Sequence, residues 1–341
     1  MRKYFSFGIM AVLLILVLAA CGEKSKEDVV AQLEKTVEEM DGYKAQAKMS
    51  LQTGEESQTY NIDVSHKKKD YYRVLLKNEQ DKEGSQIILR NDKGVYVLTP
   101  ALNKSFKFQS DWPNSSSQPY LYQSLIDDVL KDADATFEST DNYYVFETKT
   151  NYQNNNNLPF QEIYFDKKTF TPVLVKVLDK DKNPLIEVEF TNFELDPQFA
   201  DDTFEIEKNM TSSLFGVPTM GGQEESAIKD LAVLQPTVTA GAELIETKEV
   251  DVENGKRVIS SYQGEKNFTL VQESLEVYPT TASKPKSVIG EPVSLGFTMG
   301  AMTDNSLEWS YEGVNYYLAS EELTKQEMID VASSVGGQST K

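Results

Sequence analysis

Tyr43-Lys44-Ala45-Gln46-Ala47-Lys48-Met49-Ser50-Leu51 alternates apolar and polar residues from end to end. Successive side chains of a strand point to opposite faces, so this period of two gathers Tyr43, Ala45, Ala47, Met49 and Leu51 on one side of a sheet. After the turn Thr53-Gly54-Glu55 the alternation resumes at Tyr60, Ile62 and Val64. Further strands follow at Tyr71–Leu76, Gln86–Arg90, Val95–Leu98 and Ser105–Phe108, bounded by turn residues such as Asn91-Asp92-Lys93-Gly94 and Thr99-Pro100 to Lys104. Strands joined this closely are antiparallel neighbours, because a parallel crossover consumes about a dozen residues or more. The stretch therefore sets the fold as an antiparallel sheet, and at the later strand Leu185–Phe190, where Ile186, Val188 and Phe190 face one way and Glu187 and Glu189 the other, the sheet has one dry face and one wet face.

Helices flank this run. Ser25 is a good N-cap with Asp28 three residues on, and Val30, Leu33, Val37 and Met40 share one helical stripe up to Asp41-Gly42, where Gly42 is expected to take a left-handed cap. A second helix is expected over Tyr120–Lys131, with Pro119 at its first turn and Leu121, Leu125 and Val129 on one face. Strands return at Tyr143–Lys149, Glu162–Phe165, Pro172–Leu178 and Leu185–Phe190. Met210 to Glu225 carries Gly, Pro, Ser and Thr with little periodicity and is read as a linker. Beyond it a smaller α+β domain over 226–341 is expected. It has a short helix near Ser226–Leu234, strands at Leu244–Val252, Lys256–Tyr262, Asn267–Glu273, Val293–Phe297, Leu307–Tyr311 and Val314–Leu318, and a final helix. Thr324 and Glu327 form that helix's capping box, Leu323 staples to Met328, and Met328, Ala332 and Val335 are its stripe.

The chain opens with Arg2 and Lys3, an apolar run from Ile9 to Leu18, and then Leu18-Ala19-Ala20-Cys21-Gly22. The run is short for a membrane span, which needs roughly 20 residues. Its basic start, apolar middle and small-residue end are those of a secretory signal, residues 1–20. Cys21 is the only cysteine in the chain. A cut between Ala20 and Cys21, with a diacylglyceryl group on the Cys21 thiol, leaves a lipidated N-terminus on a tether over 21–28. Two acyl chains suffice for stable anchoring. The expected location is the cell membrane, lipid-anchored on its extracytoplasmic face.

The formal charge of -20 argues against nucleic acid, which needs a basic surface, and against a folded body lying on an anionic membrane. His66 is the only histidine. It stands in His66-Lys67-Lys68-Lys69 and is read as part of a solvated turn, without the partners a metal site needs. A triad containing histidine cannot be built without it, and the chain has no G-x-S-x-G elbow, P-loop, H-E-x-x-H or G-x-G-x-x-G. Asp179-Lys180-Asp181-Lys182-Asn183 starts like a calcium loop, but Pro184 replaces its glycine and Phe190 its bidentate glutamate, so it reads as a polar hairpin turn. No catalytic residue, cofactor or metal is expected.

The order of helix, hairpins, helix and hairpins ending in Asp201-Asp202-Thr203-Phe204-Glu205-Ile206 resembles the LolA/LolB/RseB-like unclosed β-barrels. Tyr164-Phe165-Asp166-Lys167-Lys168-Thr169 and Val188-Glu189-Phe190-Thr191-Asn192-Phe193 carry the resemblance most specifically. Leu307-Glu308-Trp309 and Tyr316-Tyr317-Leu318-Ala319-Ser320 resemble a small domain common on Firmicute sporulation and signalling proteins. Together they look like the YdcC-type sporulation lipoproteins of bacilli, related to a clostridial germination lipoprotein. The resemblance implies a half-barrel over 29–209 with helices across an apolar concave face. That cavity would be used for an acyl chain, a lipoprotein or a partner's apolar segment. Leu33 falls where the carriers have a functional leucine, so Leu33, Val37 and Met40 are expected to lid the cavity. The carriers' functional arginine is replaced by Lys68, and a protein fixed to one membrane cannot shuttle across an aqueous gap. The expected function is therefore non-enzymatic binding in sporulation. Two other readings stay open: a scaffold or activator of a cell-wall-modifying enzyme with an empty barrel, and a carboxylate-based cell-wall hydrolase.

Overall fold

The computed structural model describes residues 23–53, 56–79, 84–152, 158–211, 231, 233–252, 255–274 and 286–335. Ala20, Cys21, residues 212–225 of the expected linker and most of the expected helix at Ser226–Leu234 lie outside them.

Helix α1 (Lys26–Glu39) opens on the expected capping box: the Asp28 N–H donates to Ser25 Oγ at 3.2 Å, and Asp28 Oδ2 accepts from the Ser25 N–H at 3.3 Å. Its end differs from expectation. Met40 is the C-cap, in an extended conformation, and Gly42 already opens strand β1 (Gly42–Thr53). Glycine is required there by proximity: a Cβ on residue 42 would overlap the backbone carbonyl oxygen of His66 on the paired strand.

Strand β1 pairs along its whole length with β2 (Glu56–Lys67), and β3 (Tyr71–Asn78), β4 (Gln86–Asn91), β5 (Gly94–Thr99) and β6 (Lys104–Phe108) follow in turn, each antiparallel to the one before. Helix α2 (Tyr122–Lys131) starts later than Pro119 suggests, its N-cap being Leu121. Strands β7 (Thr136–Ser139), β8 (Tyr143–Lys149), β9 (Phe160–Asp166), β10 (Pro172–Leu178) and β11 (Pro184–Leu195) form a second meander. Pairing of β11 with β1 joins the two into one open sheet, which runs from β6 to β7 without closing.

The alternating residues do what their period requires. Ala45, Ala47, Met49 and Leu51 are buried on the inner face, in one core with Val29 and Leu33 of α1 and Leu125, Ile126 and Val129 of α2. The opposite face is not uniformly wet, as the alternation had suggested. Over β3 to β5 it is covered by the segment that leads through Phe199 and Phe204 to the short helix α3 (Ile206–Asn209), which packs on Leu75, Ile87, Leu89, Tyr96 and Leu98. Both faces of these strands are buried, so they read as continuous apolar runs.

The second half forms a seven-stranded antiparallel sheet: β12 (Ala242–Val252), β13 (Gly255–Gly264), β14 (Phe268–Ser274), β19 (Val314–Ala319), β18 (Ser306–Tyr311), β17 (Met299–Met302) and β16 (Glu291–Ser294), in that spatial order. Helix α4 (Lys325–Val335) buries Met328, Ala332 and Val335 against it. Its capping box is formed: the Thr324 N–H donates to Glu327 Oε2 at 2.8 Å, and the Glu327 N–H to Thr324 Oγ1 at 3.3 Å. Strand β15 (Lys286–Val288) does not join this sheet. It returns to the first one and pairs in parallel with β6, giving that sheet its twelfth strand. Sheet dominates throughout, with few helices among the described residues.

Candidate functional site

The two sheets meet around a cavity of about 230 Å3. Its floor is the inner face of the first sheet, at Met49, Leu51, Tyr60, Leu76, Gln86 and Ile186. One wall is the loop Ser116–Tyr120 with Tyr152 and Leu158, and the roof is the hairpin 294–299 that joins β16 to β17. In a chain with 54 acidic and 34 basic residues, no Asp, Glu, Lys, Arg or His lines it among the described residues.

Hydrogen bonds hold the roof down. Gln86 Oε1 accepts from the Met299 N–H at 2.6 Å, and Gln86 Nε2 donates to the Met299 carbonyl at 3.2 Å. Tyr60 Oη donates to the Phe297 carbonyl. Lys104 Nζ donates to Ser310 Oγ at 3.1 Å and Asn315 Oδ1 at 2.5 Å, with the Glu308 carboxylate 4.0 Å away. Burial holds this ammonium below the ordinary lysine range, at about 8. Val288, Met299 and Ala301 enter the first sheet's core, so the join is partly core and partly polar.

Behind the Ser116–Tyr120 wall lies a buried acid. Asp128 accepts from Ser117 Oγ at 2.6 Å and from Gln161 Nε2 at 2.6 Å, and Gln161 Oε1 accepts from Tyr152 Oη at 2.9 Å. Asp128 is 5% exposed. Burial pushes its carboxyl up to about 6, although both hydrogen bonds favour the charged form.

His66 corrects the sequence reading. It is not in a solvated turn but buried on β2, its ring stacked on Tyr72 with centroids 4.3 Å apart and Nδ1 3.1 Å from the Tyr71 carbonyl oxygen. Burial lowers its pKa to about 4. The basic neighbours Lys67–Lys69 obscured this: His66 pairs with inward-facing Tyr43, so the period of two carries it inside while the lysines close the hairpin.

The expected lid residues are not at the cavity. Leu33 is 0% exposed and Met40 5%, while Val37 is half-buried against the same core. None of the three lines the cavity. They are core, because α1 lies flat on the sheet with Val29 and Leu33 inward and Val30 half-turned out. Lys68 Nζ donates to the Glu38 carbonyl at 3.0 Å and so closes the end of α1. The hairpin at 179–183 uses the Asp179 carboxylate for its own backbone, Oδ1 accepting from the N–H groups of Asp181 and Asn183 at 2.8 Å each. Sequence reading missed Gln86, Ser117, Tyr152 and the 294–299 hairpin. Ser117 and Tyr152 sit in loops, which carry no period, and Gln86 stands at the first position of β4, so only the tertiary fold brings them together.

An open antiparallel sheet with helices on its inner face, roofed by a second sheet over an uncharged cavity, has the parts of a binding protein. The family described as Sporulation protein YdcC-like matches residues 1–204. The sporulation protein YdcC of Bacillus subtilis is 48% identical over 341 residues, a match that takes in 100% of this chain and 99% of that protein. The chain belongs to the YdcC-like sporulation protein family. Among solved structures it is similar to a chain of the MucA/MucB complex of Pseudomonas aeruginosa, with a TM-score of 0.35 and 13% identity over 90% of this chain and 98% of that one. It is also similar to a LolA superfamily protein from Nitrosomonas europaea, with a TM-score of 0.30 and 12% identity over 53% of this chain and 98% of that one.

Proposed function

We propose that this chain is a non-enzymatic sporulation lipoprotein, held on the extracytoplasmic face of the cell membrane by a diacylglyceryl group on Cys21. Its cavity would take an acyl chain or an apolar segment of an envelope or cortex partner. The observation that carries this reading is the uncharged cavity between the two sheets. A volume of about 230 Å3 is somewhat below the roughly 300–1,000 Å3 of sites that enclose drug-sized ligands, so the site suits a short apolar insertion. The anchor rests on Leu18-Ala19-Ala20-Cys21 and on the strongly negative body, which an anionic surface repels.

Native mass spectrometry of the full chain extracted in detergent from sporulating cells tests the binding reading, alongside a Met49→Trp variant whose indole fills the cavity. A bound species on the wild type that the variant lacks is the expected result. Identical spectra, with no uptake of added fatty acid or apolar peptide by either chain, would remove the cavity as a ligand site.

A further inference from the structure

The polar end of the cavity is hydrogen-bonded in one direction. Above a pH of about 6, to which burial raises its pKa, the Asp128 carboxyl is ionised and can only accept, so Gln161 must turn its NH2 group towards it and its carbonyl towards Tyr152. A hydroxyl has one proton. Ser117 gives its proton to Asp128 at 2.6 Å, and Tyr152 gives its own to Gln161 at 2.9 Å. Tyr120 is committed likewise, to Gln118 Oε1 at 2.9 Å. Ser117, Tyr120 and Tyr152 all line the cavity. What these three hydroxyls have left for a ligand is lone pairs; the donors at this end are the Ser116 hydroxyl, which accepts from Gln118 Nε2 at 3.3 Å and keeps its own proton, and the second N–H of that amide.

Resting on the binding function proposed above, we infer that Asp128 sets the hydrogen-bond polarity of this end. The site then selects an apolar peptide segment, which brings its own N–H donors, over an ester-linked acyl chain. Esters have no donor. Carboxylate and phosphate heads are acceptors too, and at the three hydroxyls ordered by Asp128, Gln161 and Gln118 they would meet lone pairs, with the Asp128 charge behind and no lysine or arginine in the lining among the described residues. A peptide offers an N–H at nearly every residue beside its apolar side chains, and the cavity's size suits a few side chains better than a whole lipid tail. Asp128 touches no ligand in this scheme. It is a positioning residue, acting through Ser117 and Gln161.

Replacing one peptide N–H by an ester oxygen deletes the donor and keeps the shape. The full chain, carrying methionine labelled with 13C at its methyl group, is titrated in dodecylmaltoside with three probes: N-acetyl-leucyl-leucine methylamide, its depsipeptide with the central N–H replaced by oxygen, and methyl octanoate. Met49 and Met299 line the cavity, so their methyl resonances report occupancy there and not partition into micelles. The peptide is expected to saturate both shifts at about 5- to 10-fold lower concentration than the depsipeptide, the worth of one hydrogen bond. In Asp128→Asn the ratio falls to about one, because an amide NH2 can donate back and free a hydroxyl proton to face the ligand. If that variant does not fold, Tyr152→Phe, which loses one acceptor, is expected to lower the ratio instead. Equal affinity for peptide and depsipeptide in the wild type, or a preference that survives in Asp128→Asn, overturns the inference and leaves an apolar site. Tighter binding of methyl octanoate than of peptide also overturns it, in favour of the acyl chain. If no probe moves either methyl group, the inference and the binding function fall together.

Discussion

Gln86 grips Met299 by both polar groups of its backbone, accepting from the N–H at 2.6 Å and donating to the carbonyl at 3.2 Å. One side chain thus does the work of a neighbouring strand, and it does so where the two sheets meet. Both residues are buried, so the pairing cannot be replaced by water without opening the join. Gln86→Leu keeps much of the volume and strands both Met299 groups. A cost of about 2–4 kcal/mol is expected from two unpartnered buried groups, read as a lower midpoint in urea unfolding of the full chain.

Two buried groups oppose each other on acidification. His66 ordinarily titrates at 6.5 and is lowered to about 4 by burial. The stability due to its neutral form is complete above about pH 6.5 and is lost as pH falls towards 4. Asp128 ordinarily titrates at 3.8 and is raised to about 6 by burial. Its ionised form costs stability above about pH 6, and that penalty is lifted as pH falls towards 3.8. Each change is about 3 kcal/mol, so the two nearly cancel in the wild type. Relative to wild type, Asp128→Asn should lose about 3 kcal/mol between pH 6.5 and 4, and His66→Gln should gain about as much. Denaturant midpoints across that range check both signs.

Leu33 and Val37 share a helix but differ in burial, and their truncations should differ accordingly. Leu33 is fully enclosed, so Leu33→Ala should cost about 2–5 kcal/mol through lost burial and a cavity. Val37→Ala, at a half-buried site, should cost about 1 kcal/mol. Equal costs in thermal or urea melts would contradict the placement of α1.

Gly42→Ala is expected to destabilise by about 1–3 kcal/mol, the usual range for overpacking. The methyl would meet the His66 carbonyl oxygen, which is backbone and cannot swing aside. The position does not need a left-handed backbone, so Gly42→Asn should be no better tolerated than alanine. Rescue by asparagine in a melting series would overturn this account.

Cys21→Ala should release the protein from the membrane fraction or leave an uncleaved precursor. Fractionation showing a processed variant still bound to membranes would rule out the cysteine as anchor.

Period carried most of what the sequence disclosed. Tyr43–Leu51 reads as a strand because every second residue must be dry, and α4 reads as a helix because Thr324, Glu327 and the Met328, Ala332, Val335 stripe agree. Where burial departs from one face, the reading weakened. Strands β3 to β5 are covered twice, so their apolar runs gave no sign that Phe204 lay beneath them. Strands β15 and β17 are too short to show a period. Gly42 suggested a cap, since sequence cannot distinguish a glycine needed for its backbone freedom from one needed for its lack of a side chain. The cavity was least legible. Its parts, Gln86, Ser117, Tyr152 and Phe297, are far apart in sequence and meet only when the second sheet closes on the first.

The return of β15 to the edge of the first sheet bears on the order in which the molecule can be made. A chain synthesised from its N-terminus has every strand from β1 to β11 long before Lys286–Val288 exists. Until then β6 presents an unpaired row of backbone groups next to an apolar core, the kind of edge on which chains associate wrongly. Parallel pairing between segments this distant in sequence is also slow to form. A nascent or truncated chain that stops before residue 286 carries that open margin, whereas the chain that runs beyond it has closed it with three residues of its own.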